Sequence, residues 1–135
     1  MKKVVLDTNI VISSAISANG NPASIMELVS KRAIQAYYNS EILDEYKRVL
    51  AYERLKIEPE KQVEIIEKIK EVSIFIEPKA SNIPLPDESD RIFYDTAQAA
   101  EAILIKGNIK HYPCEFFIMT PADYWQKLIM ESDSD

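Results

Sequence analysis

The stretch VVLDTNIVISSAI, residues 4–16, sets a lone carboxylate, Asp7, at the end of an apolar run, with Thr8 and Asn9 directly behind it. A charge at the edge of a buried strand needs a local backbone partner or a functional reason to be there. Asp7 could serve as a helix N-cap, a role Asn9 would also suit. Alternatively it stands where ligands bind in parallel sheets, outside the carboxyl end of a strand. The rest of the chain decides which reading deserves weight.

Working outward, short apolar runs alternate with helical patterns. Residues 2–6, 34–39, 73–77, 102–106 and 116–119 are β-branched or aromatic and bounded by charge, proline or glycine, which predicts strands. Residues 22–31, 41–54, 59–71, 88–101 and 121–130 repeat apolar positions every three or four residues, which predicts helices. Pro22, Pro59 and Pro121 fall near their starts, where proline is tolerated. The order is β-α-β-α-α-β-α-β-β-α. Strands this uniformly apolar are covered on both faces. The fold class expected is therefore α/β, a three-layer α/β/α sandwich with a mostly parallel central sheet of about five strands. Segment 77–86, EPKASNIPLP, holds three of the seven prolines and no periodicity, so it reads as an ordered surface loop rather than a linker.

Composition excludes several classes. The 135 residues suit a single domain that buries about two thirds of its unfolded surface. We expect residues 1–130 to form that domain and the acidic end, 131–135 (ESDSD), to be a frayed tail. With 47% hydrophobic and 28% charged residues, the apolar runs fall far short of the roughly 20 residues a membrane span needs. Met1-Lys2-Lys3 and the short run after it are unlike a signal peptide, so a cytoplasmic location is expected. The one cysteine, Cys114, excludes an intramolecular disulfide and a cysteine-built zinc site. The net charge of −6 argues at first against a nucleic-acid partner. Setting aside Glu131, Asp133 and Asp135, however, leaves 19 of the 22 acids against 16 bases.

Two further acids join Asp7 as candidates. On the predicted helix 41–54, Ile42, Leu43, Tyr46, Val49 and Leu50 form the core stripe, and Glu45 lies at its rim, about 100° from the centre. Asp90 precedes Phe93 by three residues and Ala97 by seven, sharing their face one turn nearer the sheet edge. Asp87 reads as an N-cap. Asp95 points elsewhere, with an i,i+4 pairing to Arg91 as its expected role. After the fourth apolar run, Gly107 and Asn108 leave the sheet much as Asp7 leaves the first strand. Carboxylates gathered at one sheet edge repel unless a cation lies between them, and a hard divalent ion, Mg²⁺ or Mn²⁺, takes oxygen ligands of this kind. Lys106 could partly replace such a cation or contact a phosphate.

These residues resemble the PIN-domain family, metal-dependent nucleases of similar size, and the resemblance spans essentially the whole chain. An apolar strand followed by D-T-N matches Leu6-Asp7-Thr8-Asn9. The family's helical glutamate corresponds to Glu45 in SEILDEYKRVL, and its third acid to Asp90 before Ala97. The closing GNIKHYP and FFIMTPADYW are similar to the toxin-like, VapC-like subgroup. Two positions depart: Asn108 stands where the fourth acid is commonly Asp, and Lys106 where Thr is usual two residues before it. The resemblance implies hydrolysis of RNA phosphodiesters by a metal-activated water. Asp7, Asp90 and Glu45 would be the metal ligands, with Asn108 joining the catalytic set and Thr8 and Asn9 orienting Asp7 from behind. It also implies a homodimer restrained by a small antitoxin protein.

Other readings are weaker. His111, the sole histidine, is expected to be structural, and Lys31-Arg32 and Lys47-Arg48 to be solvated, although either pair could track RNA phosphates. Tyr37-Tyr38 and Phe116-Phe117 are expected in the core. Dinucleotide binding is not expected, because a chain with only Gly20 and Gly107 has no G-x-G-x-x-G pattern. A phosphatase or phosphoacceptor would want a second aspartate, where Asn9 stands, or a lysine partner after a later strand, a place that Lys106 keeps open. The main rival is a degenerate scaffold of the same family that binds RNA or a protein without cutting.

Overall fold

The computed structural model describes residues 1–107 and 115–133. Five strands, β1 (Lys3–Leu6), β2 (Gln35–Tyr38), β3 (Ile74–Phe75), β4 (Ile103–Ile105) and β5 (Ile118–Met119), form one sheet in the order β3-β2-β1-β4-β5. Every neighbouring pair is parallel, as the apolar strands predicted. Successive strand residues point to opposite faces, yet Val4, Val5 and Leu6 are all buried, so both faces of β1 are covered. The three-layer α/β/α sandwich is thus present.

Six helices accompany the sheet: α1 (Thr8–Ile16), α2 (Asn21–Ser30), α3 (Ser40–Leu50), α4 (Pro59–Val72), α5 (Arg91–Ala100) and α6 (Pro121–Asp133). Five of them match the predicted helical patterns within a few residues. The long 41–54 pattern breaks at Leu50, and a separate 3-10 turn follows over Glu53–Leu55. The helix expected from residue 88 begins as a 3-10 turn, Glu88–Asp90, before α5 proper.

Helix α1 was not expected. Ile10, Val11 and Ile12 are β-branched residues that favour strands when isolated. All three are buried in the helix, together with Thr8 and Ala15, so the apolar positions spread around the axis and leave a weak 3.6-residue period. Packing against α2 and α3 overrides the propensity.

Two smaller expectations change. Asp95 does not pair with Arg91 as predicted. Its Oδ2 accepts from the Ser81 amide at 3.0 Å, while Arg91 Nε bonds Glu88 Oε2 at 2.6 Å and its Nη atoms bond the Ser81 and Ile83 carbonyls. Those contacts pin the proline-rich segment 77–86 onto α5. Phe117 is core, but Phe116 is 87% exposed and lies before β5 rather than in it. At the other end of the chain α6 runs to Asp133, and Glu131 pairs with Lys2 at 3.0 Å and with Lys127. No helix among the described residues is long and apolar enough to cross a membrane.

Candidate active site at the sheet switch point

The chain lays β2 and β3 on one side of β1, then returns to place β4 and β5 on the other. In open parallel sheets that reversal leaves a crevice beyond the carboxyl ends of the two strands flanking it. Here those strands are β1 and β4, and the residues leaving them are Asp7 and Lys106. The register pairs Leu6 with Ile105, which brings the next residues side by side. The Asp7 amide bonds the Ile105 carbonyl at 3.0 Å and the Lys106 amide bonds Met119 O at 2.9 Å, so both backbones are held where the strands end.

A cleft of about 510 Å³ opens at this point, lined by Asp7, Thr8, Asn9, Glu45, Asp90 and Lys106, with Arg48, Asp87 and Ser89 on its walls. All three candidate acids and the other described candidates, Thr8, Asn9 and Lys106, therefore meet in one place. Asp7 is buried at the floor and Asn9 is exposed at the rim. Glu45 projects from α3, and Asp90 from the last residue of the 3-10 turn at the head of α5. Asn108, His111 and Cys114 lie outside the described residues.

Asp7 occupies the N-cap position of α1 with extended backbone, yet its side chain makes no capping bond. The local explanation for this buried carboxylate therefore fails, and the cleft takes its place. Lys106 Nζ lies 3.5 Å from Asp7 Oδ2 and 3.2 Å from Asp90 Oδ1, bridging them. Burial pushes the Asp7 carboxyl above its ordinary value. Lys106 draws it down, whereas the charges of Asp90 and Glu45 push it up further and a bond from the Thr8 backbone lowers it.

The Thr8 hydroxyl donates to Glu45 Oε2 and so fixes Glu45, while its backbone bonds Asp7. Glu45 Oε1 also lies 3.7 Å from Arg48 Nη2. Beneath the cleft, the Tyr46 hydroxyl donates to the Leu6 carbonyl, one residue before Asp7. Burial, then the nearby Asp7 and Glu45 charges, hold the Tyr46 phenol well above its ordinary range. The sequence marked Tyr46 only as a core-stripe residue, and nothing in its spacing distinguishes a supporting hydroxyl from packing. Asp87 caps the 3-10 turn as expected, accepting from the Ser89 amide at 2.9 Å.

The donor chemistry suits a hard cation: oxygen ligands only, from three separate segments, with a positive group already drawn between two of them. The three acids do not form a closed cage. Among the described residues no three His, Cys, Asp or Glu side chains stand close enough together to hold a metal ion as they are arranged.

With β1, the D-T-N turn, the helical glutamate and the acid before α5 converging on one cleft, comparison with known proteins is decisive for the class. The PIN-domain family model matches residues 3–110, and the chain belongs to that family. It is similar to an uncharacterized protein of Methanocaldococcus jannaschii, 33% identical over 109 residues, which cover 78% of this chain and 70% of the relative. Its fold is similar to the crystal structure of VapBC2 from Rickettsia felis bound to a DNA fragment from the promoter. That match has a TM-score of 0.61 and 17% identity, covering 87% of this chain and 96% of the other.

Proposed function

We propose that the protein is a Mg²⁺- or Mn²⁺-dependent endoribonuclease that hydrolyses RNA phosphodiester bonds. The carrying observation is the convergence of Asp7, Glu45 and Asp90 on the cleft at the switch point. Asp7 and Asp90 would hold the cation, and Glu45 would hold it or orient the attacking water. A divalent ion held there would supply polarisation of a phosphoryl oxygen and a lowered pKa for attached water. The burial of Asp7 keeps its charge in low dielectric, where it interacts strongly with a cation and little with solvent. Thr8 holds Glu45 in position, Asn9 lines the entrance, and Asn108 would contribute an amide oxygen.

The family and the fold shared with a VapBC complex support a toxin role, restrained by a small antitoxin protein. A homodimer and a cytoplasmic location go with that reading. The alternative is a non-cleaving scaffold that binds RNA or a protein, and the ammonium between Asp7 and Asp90 is the observation that favours it. Incubating purified protein with RNA and Mn²⁺ separates the two. Asp7→Asn should abolish cleavage while leaving the far-ultraviolet circular dichroism unchanged. Equal cleavage by both proteins refutes the role given to Asp7, and no cleavage by either favours the scaffold.

A further inference from the structure

The position of Lys106 is fixed more firmly than a surface lysine's. Pairing of Leu6 with Ile105 sets its Cα beside Asp7, and its amide is tied to Met119 O at 2.9 Å. Its side chain is only 12% exposed, and its ammonium lies 3.2 Å from Asp90 and 3.5 Å from Asp7. A dication held by both carboxylates would need the space and the charge balance this ammonium now provides. The two cannot share it, because an ammonium and a divalent ion a few ångströms apart repel strongly in a partly buried site.

We propose that Lys106 is a tethered cation in the divalent-ion position, and that metal binds only by displacing it, so this lysine sets the metal affinity of the cleft. The inference rests on the metal-dependent reading above and adds a regulator to it. A lysine suits this role, since its charge is compact and a flexible four-carbon stem lets it swing while the backbone stays paired. The displaced ammonium would have an acid to turn to on the same rim. Asp87 is exposed there, its carboxyl held low by bonds from Ser89 and, more weakly, by the Lys106 charge. Metal-free protein is then a stable resting form, with the Asp7–Asp90 repulsion neutralised from within.

The test is a direct Mn²⁺ titration, followed by loss of the free-ion paramagnetic resonance signal, on wild type, Lys106→Met, Lys106→Gln and Lys106→Arg. Removing the charge should tighten Mn²⁺ binding at least about tenfold in the Met and Gln variants, while Arg stays near wild type. Adding Asp90→Asn to Lys106→Met should abolish the gain. The Met and Gln variants should also melt at lower temperature than wild type without metal and recover with Mn²⁺. Should one fail to fold in metal-free buffer, refolding that requires Mn²⁺ supports the proposal, and refolding indifferent to it counts against it. Equal or weaker Mn²⁺ binding after loss of the lysine, with Asp90 still required, overturns the inference and leaves the metal-dependent reading intact. No binding by any of the proteins at millimolar Mn²⁺ overturns both.

Discussion

The Thr8 hydroxyl donates to the Glu45 carboxylate, joining the first turn of α1 to the rim of α3 across 37 positions of sequence. Thr8 is buried and Glu45 is partly so, which makes this the contact that decides where the Glu45 charge points. Thr8→Val keeps the shape and removes the donor. We expect a stability loss of about 1 kcal/mol by urea unfolding. Turnover on RNA should fall about tenfold or more through misplacement of Glu45, with substrate affinity little changed. Thr8→Ser should restore most of both; failure of Ser to rescue would show that the methyl group, rather than the bond, matters.

Asn39 joins α3 to α5 in the same manner, but for stability. Its Oδ1 accepts from the Ile42 amide at 3.1 Å, capping α3, and its Nδ2 donates to Thr96 Oγ1 at 2.8 Å. Thr96 in turn donates to the Ile92 carbonyl at 2.6 Å, and both side chains are buried. Asn39→Ala removes a cap and the bond that the buried Thr96 hydroxyl accepts, so it should cost about 2–3 kcal/mol in chemical denaturation. Asn39→Asp keeps the cap acceptor but not the donor and should lie between. A loss below about 0.5 kcal/mol for Ala would contradict this account.

How much of this could be read beforehand follows from what each residue's signal is made of. β1 was legible because its burial on both faces leaves an unbroken apolar run, and the charge that ends it marks the crevice. Glu45 could be placed at the rim because α3 has a clean stripe of Ile42, Leu43, Tyr46 and Leu50 against exposed Glu41, Asp44 and Lys47. α1 lacked such a contrast, since its β-branched residues are buried nearly all round. Asp95 was misread because its partner is the Ser81 backbone, in a loop without periodicity, and no sequence pattern announces a carboxylate that accepts from a distant amide. The Lys106 bridge depends on strand order. Only when β4 lies beside β1 do positions 7 and 106 become neighbours.

Arg48, on the wall of the cleft, is part of a small basic and aromatic group. Its guanidinium carbon lies 5.9 Å from the Tyr52 ring centroid, and that of Arg54 lies 5.2 Å from the same ring. Such a group can meet a phosphate with charge and a base with a π face. In an Asp7→Asn background, which keeps the RNA intact, Arg48→Ala should weaken binding across unrelated sequences and reduce the logarithmic salt slope by about one. Fluorescence anisotropy over a range of salt concentrations measures both. Because Arg48 is exposed, stability should change by less than about 0.5 kcal/mol. An unchanged salt slope would place Arg48 outside the RNA path.

Tyr124, on α6, supplies a prediction at the other end of the pH scale. Its ring is buried, its hydroxyl has no hydrogen-bond partner among the described residues, and burial pushes its phenol up to about 12, with the Glu131 charge adding to the effect. An unfolded tyrosine ionises near 10, so between about pH 10 and 12 the folded state holds a proton the unfolded state has lost. By linkage the folded state is then penalised progressively as pH rises through that window and is unaffected below it. Tyr124→Phe cannot ionise. At neutral pH it should match wild type within about 1 kcal/mol, since the hydroxyl it removes bonds none of the described residues. Above pH 10 it should be the more stable of the two, by a margin that grows until about pH 12, as read from paired urea titrations at each pH. Parallel curves across that range would mean that the Tyr124 hydroxyl reaches solvent or a partner in solution.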